Sequence, residues 1–348
     1  MGRIDVVVPC YGYGRFLREC VQSVLAQDVD GLRVLIIDDA SPDQTPEVGR
    51  ALERADARVR YRRHVANQGH IATFNEGVAW AGATYMLLLS ADDYLLPGAL
   101  ARALALLDAD PAMGLCVGDA RILLADGRLK AVQVEAAMAR EPGRAEVVLS
   151  GHGFIEQVIH AGANNPVVCA TAVVRTRLLR ETGAYRADLP HCADLELWLR
   201  LASRGPVGIV RQPQAVYRRH QSNMSDHYQA DHGLADLQQR AAAFDAFGDL
   251  PSDALPALPA LLRRLRRALA REAVGQAGSA FNDGQPAVEA KLLAFAAATS
   301  PSAFFGRAWM RLRIKRALGV GRTNALRGWR DRWRGQVAAP GAGKRAAP

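Results

Sequence analysis

Apolar and polar positions change places in short, regular blocks along the first part of the chain. A β-branched run at 4–8 predicts a strand that is buried on both faces. The stretch 16–27 then carries apolar side chains at helical spacing. The same two patterns continue, and predict strands at 34–37, 58–62 and 85–89 and helices that begin near Thr45 and Ile71. Because strands and helices alternate, we expect an α/β fold with a Rossmann-like, mostly parallel sheet covered by helices on both faces.

After residue 110 the apolar runs become shorter and turn residues separate them. These runs predict strands at 113–119, 120–124, 167–175, 207–210 and 215–218, a hairpin turn at Gly127, and helices at 176–182 and 195–204. From about residue 226 the chain is rich in alanine and arginine, which favours helices. We therefore expect a single α/β domain at 1–225, a helical, basic C-terminal extension at 226–335 and a disordered tail at 336–348.

Acidic residues follow the apolar strands at the point where each strand ends. Asp38 and Asp39 follow the strand at 34–37, and Ser90-Ala91-Asp92-Asp93 follows the strand at 85–89. In parallel sheets the carboxyl ends of the strands meet at one edge, where ligands bind. Two neighbouring carboxylates there suit Mg²⁺ or Mn²⁺, which takes further oxygens from a diphosphate and from water. The structural alternative is that each acidic pair caps a turn or begins a helix.

Four further positions have both a functional and a structural interpretation, and for the motifs around Gly69 and Asn75 the structural one is a plain turn and a glycine that resembles a helix C-cap. Gly69, in the turn that begins at Asn67, permits a positive φ and the close approach of a ligand, and Asn75 lies in a predicted helix where it needs a partner. Asp194 begins a predicted helix, either as its N-cap or as a general base on a rigid support. His220 follows a predicted strand, either as a metal or diphosphate ligand or as a packed side chain.

Composition places the chain among ordinary globular proteins, since 49% of its 348 residues are hydrophobic and 23% are charged. The five cysteines form no CxxC pair, which favours a reducing compartment over a disulfide framework or a zinc site. The first residues are too β-like for a secretory signal, and no window approaches about eighteen uninterrupted apolar residues. These features predict a cytoplasmic protein.

The net charge of +9 is concentrated near the C-terminus. From residue 301 onward there are twelve lysines and arginines and one acid, Asp331, so this stretch carries +11 and the remainder about −2. Apolar residues at 309–318, and Trp329 and Trp333 after them, interleave with the arginines. Such a pattern favours contact of 301–335 with the inner face of a membrane, and its alternative is a helix packed on the domain. The body of the chain lacks a basic face or aromatic platform, which argues against a nucleic-acid partner.

Together, these motifs resemble those of the family 2 glycosyltransferases. The resemblance covers about residues 3–225, and the motifs occur in order and at sensible spacing. They are the runs 6–11, 16–17, 23–27, 36–43, 67–69, 75–77, 90–93, 97–100, 194–201 and 217–220. The family implies a single domain with the nucleotide-diphospho-sugar transferase fold.

The resemblance also implies roles for the candidate residues. Pro9, Tyr11 and Asp39 would hold the base, uracil or thymine, with Asp38 beside them. Asp92 would meet the metal, Mn²⁺ or Mg²⁺, to which the residue analysis adds His220. Asp194 would be the catalytic base. The nucleotide site would be completed by Asn67, Gly69, Asn75, Ser90 and Asp93.

The chain departs from the family pattern at four positions. Gly12 stands where asparagine is common, and Phe74 where a basic residue often precedes the asparagine. Ser90 replaces the first acid of the usual Asp-x-Asp, which leaves Asp92 and Asp93 for the metal. Ala193 stands where a glutamate commonly precedes the base, so Asp194 lacks one expected partner.

These expectations combine into a metal-dependent, inverting hexosyltransferase. Its donor would be a UDP- or dTDP-sugar and its acceptor a hydroxyl group of a glycan or a lipid-linked glycan, in cell-surface polysaccharide biosynthesis. A different class of function stays open, namely a non-catalytic subunit that binds sugar nucleotides or glycans and uses the basic tail for assembly. Donor hydrolysis with and without Mn²⁺ distinguishes the two.

Overall fold

The N-terminal strands form the parallel half of one mixed sheet. A computed structural model of the chain describes residues 3–134, 144–220, 223–251 and 255–324. Within them the strands are β1 (Ile4–Cys10), β2 (Leu32–Asp38), β3 (Val59–Arg63), β4 (Tyr85–Leu88), β5 (Tyr94–Leu95), β6 (Leu115–Leu123), β7 (Leu129–Val132), β8 (Glu146–Leu149), β9 (Val173–Arg175) and β10 (Val207–Arg218). They pair in the order β3-β2-β1-β4-β9-β6-β10-β5, with β7 beside β6 and β8 beside β10.

Helices connect these strands and form most of the chain after β10. They are α1 (Gly14–Leu25), α2 (Thr45–Ala55), α3 (His70–Trp80), α4 (Ala99–Ala109), α5 (Gly151–His160), α6 (Thr176–Thr182), α7 (Ala193–Ala202), α8 (Ala230–Gly248), α9 (Leu258–Asn282), α10 (Pro286–Thr299) and α11 (Arg307–Leu318). Short 3₁₀ turns lie at Cys169–Thr171, Met224–Gln229 and Pro301–Phe305. The backbone of α8 is kinked at residues 231–233, where φ is positive.

Strands β3, β2, β1 and β4 run parallel to one another, and β1 lies between β2 and β4. All seven residues of β1 are buried, including Asp5, as the β-branched run at its start predicts. The strand continues past its predicted end at residue 8, because Pro9 stays in register with Ile37 and its carbonyl accepts from the Ala91 N–H. The ends of β1, β2 and β4 therefore lie side by side.

The other half of the sheet mixes both strand directions. Strand β9 runs antiparallel to its neighbours β4 and β6, whereas β6 and β10 are parallel to each other. Strands β5 and β8 pair antiparallel with β10, and β7 pairs antiparallel with β6 through a turn that contains Gly127 at φ +81°. Gly127 thus lies in the hairpin turn that the sequence predicts.

Several predicted elements of the second half are wrong in type or extent. The strand predicted at 167–175 begins as a 3₁₀ turn, because the N–H groups of Thr171 and Ala172 bond to carbonyls three residues back. The two strands predicted between 113 and 124 are one strand, β6, and the two between 207 and 218 are β10, which has a register irregularity after Val210. The sequence analysis also missed β5, β8 and α5.

The chain groups into two compact units. One comprises residues 1–228 and 238–265, and contains the sheet with α1 to α7. The other comprises residues 229–237 and 266–348, and contains most of α9 together with α10 and α11. The domain boundaries predicted at 225 and 335 stay predictions, and the predicted tail at 336–348 lies outside the described residues, as do Trp329 and Trp333.

Among the described residues, none of the helices has both the length and the apolar character that a membrane-spanning segment requires.

Candidate functional site

Asp38 supports the loop that follows β2. Its carboxylate is fully buried and accepts hydrogen bonds from the Ser41 N–H at 2.8 Å, the Tyr61 hydroxyl at 2.6 Å and the Arg63 guanidinium at 2.6 Å. A carboxylate surrounded in this way exposes no oxygen to a ligand. In this conformation Asp38 holds the loop that follows β2, and its place beside a base stays a prediction.

Asp39 holds the turn that begins at Asn67. One of its oxygens accepts from the Gln68 N–H at 2.8 Å, and the other from the Gly69 N–H at 2.9 Å. Burial alone would raise the pKa of Asp39, but these backbone bonds and a bond from His64 outweigh burial and lower it. Gly69 has φ +85° and open space around its α-carbon, and the Asn67 side chain accepts a second bond from its N–H. The turn is thus built on Asp39.

His64 connects Asp39 to helix α3, and the sequence analysis missed it. The imidazole is buried, with Nδ1 at 2.7 Å from Asp39 and Nε2 at 2.6 Å from Glu76. Burial would lower the pKa of His64, but the two carboxylates reverse that effect and raise it. Arg62 reaches the second oxygen of Glu76 at 2.6 Å. No sequence motif joins His64 to Glu76, since only the folded backbone brings the end of β3 beside this turn of α3.

The side-chain amide of Asn75 forms hydrogen bonds with the segment that precedes α7. Its Nδ2 donates to the Tyr185 carbonyl at 2.8 Å, and its Oδ1 accepts from the Tyr185 N–H at 2.9 Å. At the start of the same helix, His70 Nε2 lies 2.7 Å from the Pro190 carbonyl oxygen. Asn75 therefore has the partner that an asparagine inside a helix needs, and α3 is tied to the chain that leads to Asp194.

Asp92 and Asp93 follow β4 and lie inside the protein. The carboxylate of Asp92 is 3.1 Å from His220 Nε2, and Asp93 accepts from the Arg218 N–H at 3.0 Å. Burial raises the pKa of both acids, and for Asp93 the charge of Asp92 raises it further. Neither acid caps a helix, because α4 begins only at Ala99 after Gly98.

Aromatic rings fix the position of His220. Phe16 stacks on the imidazole with 5.4 Å between ring centroids, and Tyr13 meets it edge-on at the same distance. The Arg218 guanidinium donates to the Asp92 carbonyl at 2.8 Å. It thereby holds residues 90–93, called the acidic loop below, beside β10. The predicted pair of metal ligands, Asp92 and His220, thus lies within hydrogen-bonding distance.

The acidic loop is closed by Ser90 and Pro9. The Ser90 carbonyl accepts from the Asp93 N–H at 3.0 Å and faces the Cys20 thiol at 3.6 Å. The Pro9 carbonyl faces the Ala91 N–H at 3.3 Å. Tyr11, beyond the end of β1, keeps 51% of its surface exposed and is free to meet a ligand.

The residues of this loop suit a hard divalent cation. Asp92 offers a carboxylate oxygen and His220 an imidazole nitrogen 3.1 Å from it, and diphosphate oxygens and water can fill the remaining positions around Mn²⁺ or Mg²⁺. The carboxyl groups of Asp92 and Asp93 have pKa values raised by burial, so a nearby cation would stabilise their charged forms. The residues present therefore fit the predicted metal.

Asp194 lies in the first turn of α7, where Cys192 occupies the N-cap position. One carboxylate oxygen accepts from the Leu195 N–H at 2.7 Å, and the other accepts from the Asn165 side chain at 2.8 Å. Burial raises the pKa of Asp194, although these two bonds oppose it. Asn165 was missed by the sequence analysis, and its side chain gives Asp194 a hydrogen-bond partner within the fold.

Cys169 lies in the 3₁₀ turn at Cys169–Thr171 that precedes β9. Burial is the main cause that raises the pKa of this thiol, and the charges of Asp194 and Asp93 both raise it further. The Asp39 turn is tied to the segment that leads to Asp194 through Asn75 and His70 of α3.

Comparison with known proteins gives a family match for part of the chain, and a fold. Residues 5–142 match the family model described as Glycosyl transferase family 2. The chain is 27% identical over 222 residues to the uncharacterized protein MT1568 of Mycobacterium tuberculosis, which covers 62% of this chain and 67% of that protein. It is 32% identical over 92 residues to the uncharacterized glycosyltransferase EpsJ of Bacillus subtilis, which covers 26% of each chain.

A third relative has a more specific name. The chain is 32% identical over 101 residues to the GalNAc(5)-diNAcBac-PP-undecaprenol beta-1,3-glucosyltransferase of Campylobacter jejuni, which covers 29% of this chain and 33% of that protein. This chain thus spans a third or less of the length of the Bacillus and Campylobacter relatives.

Two solved structures share the fold. Staphylococcus aureus TarS 1-349 in complex with UDP-GlcNAc aligns with TM-score 0.57 at 15% identity, over 86% of this chain and 91% of that chain. The mannosyltransferase PcManGT from Pyrobaculum calidifontis, in complex with GDP-Man and Mn²⁺, aligns with TM-score 0.55 at 19% identity, over 91% of this chain and 80% of that chain. The predicted α/β sugar-nucleotide transferase fold is confirmed.

Proposed function

We propose that this chain, whose residues 5–142 belong to glycosyl transferase family 2, transfers a hexose from a nucleoside-diphosphate donor to a hydroxyl group with inversion at the anomeric carbon. The observation that carries the proposal is the convergence of three acidic sites within one unit. Asp39 follows β2, Asp92 follows β4, and Asp194 lies in the first turn of α7, whose preceding segment is tied by α3 to the Asp39 turn.

The donor base is assigned to the ends of β1 and β2. Pro9, exposed Tyr11 and Asp39 would surround it, with the turn from Asn67 to Gly69 on the far side. We favour a UDP- or dTDP-sugar. TarS in its solved complex holds UDP-GlcNAc, which supports a uracil base, whereas the mannosyltransferase holds GDP-Man.

The diphosphate is assigned to the acidic loop. Asp92 and His220 would hold a Mn²⁺ or Mg²⁺ ion, with Asp93 next to Asp92 in the same loop, and the Mn²⁺ of the mannosyltransferase complex supports this choice. When bound, such an ion neutralises negative charge on the departing nucleoside diphosphate. Phe74 stands where a basic side chain is common in the family, so this position would offer the diphosphate no positive charge.

Asp194 is assigned the role of general base. Its carboxylate would take the proton from the acceptor hydroxyl while that oxygen bonds to the anomeric carbon, and the bond to the diphosphate oxygen would break with its electron pair on the leaving group. A single displacement inverts the anomeric centre. The bonds from Asn165 and the Leu195 N–H aim the carboxylate, and its raised pKa makes it a stronger base than an exposed aspartate.

The acceptor is proposed to be a glycan or a lipid-linked glycan at the cytoplasmic leaflet, in the biosynthesis of a cell-surface polysaccharide. The undecaprenol in the name of the Campylobacter relative supports a lipid-linked acceptor.

Turnover of candidate donors by wild type and Asp194→Asn tests this function. We expect wild type to release nucleoside diphosphate with Mn²⁺, and Asp194→Asn to lose about 10²–10⁴-fold in kcat with nearly unchanged nucleotide affinity. Asp126→Asn, a change of an exposed aspartate paired with Arg128 in the β6–β7 turn, is the matched control. Full activity in Asp194→Asn removes that residue from the reaction. Nucleotide binding without turnover by wild type identifies a non-catalytic subunit instead.

A further inference from the structure

Exposed apolar side chains are concentrated at one place on the described part of the chain. Among the described residues, nine large apolar side chains are exposed, and five of them fall within sixteen consecutive positions. These five are Phe305 at 92%, Met310 at 54%, Ile314 at 54%, Leu318 at 37% and Val320 at 37%. A cluster of this kind on an otherwise ordinary surface marks a site of contact with something apolar.

The geometry of α11 places three of these side chains in one stripe. Met310, Ile314 and Leu318 follow one another at four-residue spacing, so they lie along one side of the helix. The opposite side is directed inward, because Leu312 is buried and Trp309 packs edge-on against Phe304 at 4.9 Å. The helix therefore already has a packed face, and the stripe is additional to it.

Arginines surround the stripe and keep their charge available. Arg307, Arg311 and Arg313 are exposed and make no ion pair within the described residues. On the inward side, by contrast, Arg316 pairs with Glu289 at 2.7 Å and Lys315 donates to the Gly278 carbonyl at 3.0 Å. Arg316 thus has an acidic partner, whereas Arg307, Arg311 and Arg313 have none in the part of the chain that the structure describes.

We propose that this surface of α11, formed by Met310, Ile314 and Leu318 and flanked by Arg307, Arg311 and Arg313, binds a bilayer that contains anionic lipids. The surface is called the α11 face below. Apolar side chains gain free energy by entering the boundary between headgroups and acyl chains. Arginine side chains beside them reach back to the phosphates, because their long stems can lie along apolar surface.

Charge decides between a membrane and other occupants of the α11 face. The chain from residue 301 onward carries twelve basic residues and one acid, so a second copy would bring the same positive charge to the contact. A nucleic acid would leave the apolar stripe at the centre of the contact without a partner. An anionic bilayer complements both the charge and the stripe, and the proposal stands whether or not the transfer reaction does.

Vesicle binding by the full chain tests the α11 face. Wild type is mixed with vesicles of phosphatidylcholine alone and with vesicles in which part of that lipid is replaced by phosphatidylglycerol. We expect binding to the anionic vesicles only. The triple variant Met310→Ser, Ile314→Ser, Leu318→Ser should bind them about tenfold or more weakly, since three apolar side chains no longer enter the lipid. The variant Arg307→Gln, Arg311→Gln, Arg313→Gln should also bind weakly, with a smaller dependence on salt.

The matched control replaces exposed apolar residues elsewhere. Leu129 and Val148 are 50% and 51% exposed in β7 and β8, and their change to serine should leave vesicle binding unaltered. Thermal unfolding and turnover of a soluble donor should be the same for all variants. Unchanged binding by the Met310 triple variant overturns the proposal. The proposal is also overturned if wild type is a dimer that does not bind vesicles and the triple variant is a monomer. The α11 face is then a contact between copies.

Discussion

His64 is the residue whose surroundings promise the clearest measurable effect. A carboxylate only accepts hydrogen bonds, so an imidazole that donates to both Asp39 and Glu76 must carry both of its protons. The raised pKa of His64 and the lowered pKa values of Asp39 and Glu76 agree with that charged bridge. Because Asp39 in turn holds the Gly69 turn, His64 acts on the proposed donor site through Asp39 as a positioning residue.

Replacing His64 with glutamine should lower the free energy of unfolding by about 1–3 kcal/mol near pH 5.5–6, since two partly buried carboxylates lose their shared donor. The raised pKa of His64 makes its contribution full below its ordinary pKa of 6.5 and lost as pH rises through the folded-state value. Asp39 and Glu76 have lowered pKa values, so their contribution to stability is present above their ordinary pKa values of 3.8 and 4.5. It is lost as pH falls through the folded-state values. The difference between wild type and variant should therefore shrink toward both ends of the range.

Denaturant unfolding across pH, with His152→Gln as control, measures this difference. His152 lies 3.5 Å from Glu156 at an exposed site, so its loss should change stability by no more than about 0.5 kcal/mol. A gap between wild type and His64→Gln that does not vary with pH would show that His64 is neutral in the fold.

Asp92→Asn should weaken Mn²⁺-dependent nucleotide binding by at least about tenfold. Substitution of a residue that only contacts a metal ligand already lowers metal affinity by about 10–100-fold, and Asp92 is proposed to bind the metal itself. Binding measured by calorimetry with Mn²⁺ and with a chelator separates the metal contribution from the rest. The Asp126→Asn control should behave as wild type. If Mn²⁺ strengthens nucleotide binding by wild type but not by Asp92→Asn, the prediction is supported. If Mn²⁺ strengthens binding by the variant as much as by wild type, the prediction is contradicted.

Sequence patterns at this scale identify which residues matter better than how each is used. The pair Asp38-Asp39 was predictable from its place after a strand, but the division of labour was not. It depends on Tyr61 and Arg63 of the neighbouring strand, whose side chains donate hydrogen bonds to Asp38. Asn165 was unpredictable for the same reason, since its contact with Asp194 spans 29 positions with no periodic pattern between them.

At the scale of elements, helix α3 lies so close to β1 at Gly77 that no side chain larger than the hydrogen of glycine fits there. A Cβ built on Gly77 would lie 2.4 Å from Cγ1 of Val7, whose side chain is fully buried. Gly77→Ala should therefore lower the free energy of unfolding by about 1–3 kcal/mol through overpacking, as measured by denaturant titration. The double variant Val7→Ala, Gly77→Ala should lose less than the sum of the single changes, because the smaller alanine at position 7 leaves room.

Gly275→Ala is the matched control for this element. Gly275 is an exposed glycine inside α9 with no heavy atom within 4 Å of a built Cβ. Alanine there should stabilise the helix by up to about 1 kcal/mol. A stabilised Gly77→Ala would mean that α3 can move away from β1 without cost.

Elements with a long periodic pattern were predictable, and short or irregular ones were not. Helix α6 occupies the predicted residues, whereas β5 has two residues and α5 begins with Gly-His-Gly, a poor start for a helix by propensity. The Ser150 side chain caps α5 through the Gly153 N–H at 3.1 Å, which offsets that weakness.

At the scale of the whole molecule, the two halves of the sheet differ in how much local sequence reveals. The β3-β2-β1-β4 half is built from strand–helix–strand units, whose periodic pattern also fixes strand direction. The other half inserts β9 between β4 and β6, strands that are distant from it in sequence, so no local signal states its neighbours or direction. The family-level fold was therefore predictable, and the surroundings of Asp194 were not.

The ties between α3 and the Tyr185–Pro190 segment have a consequence for the order in which substrates arrive. The proposed donor turn begins α3, and Asn75 and His70 of that helix grip the backbone that leads to Asp194. A donor that stiffens the start of α3 would also stiffen the platform on which the acceptor hydroxyl must settle. We therefore expect a compulsory sequence, with the sugar nucleotide entering first, the acceptor second, and the spent nucleoside diphosphate departing last.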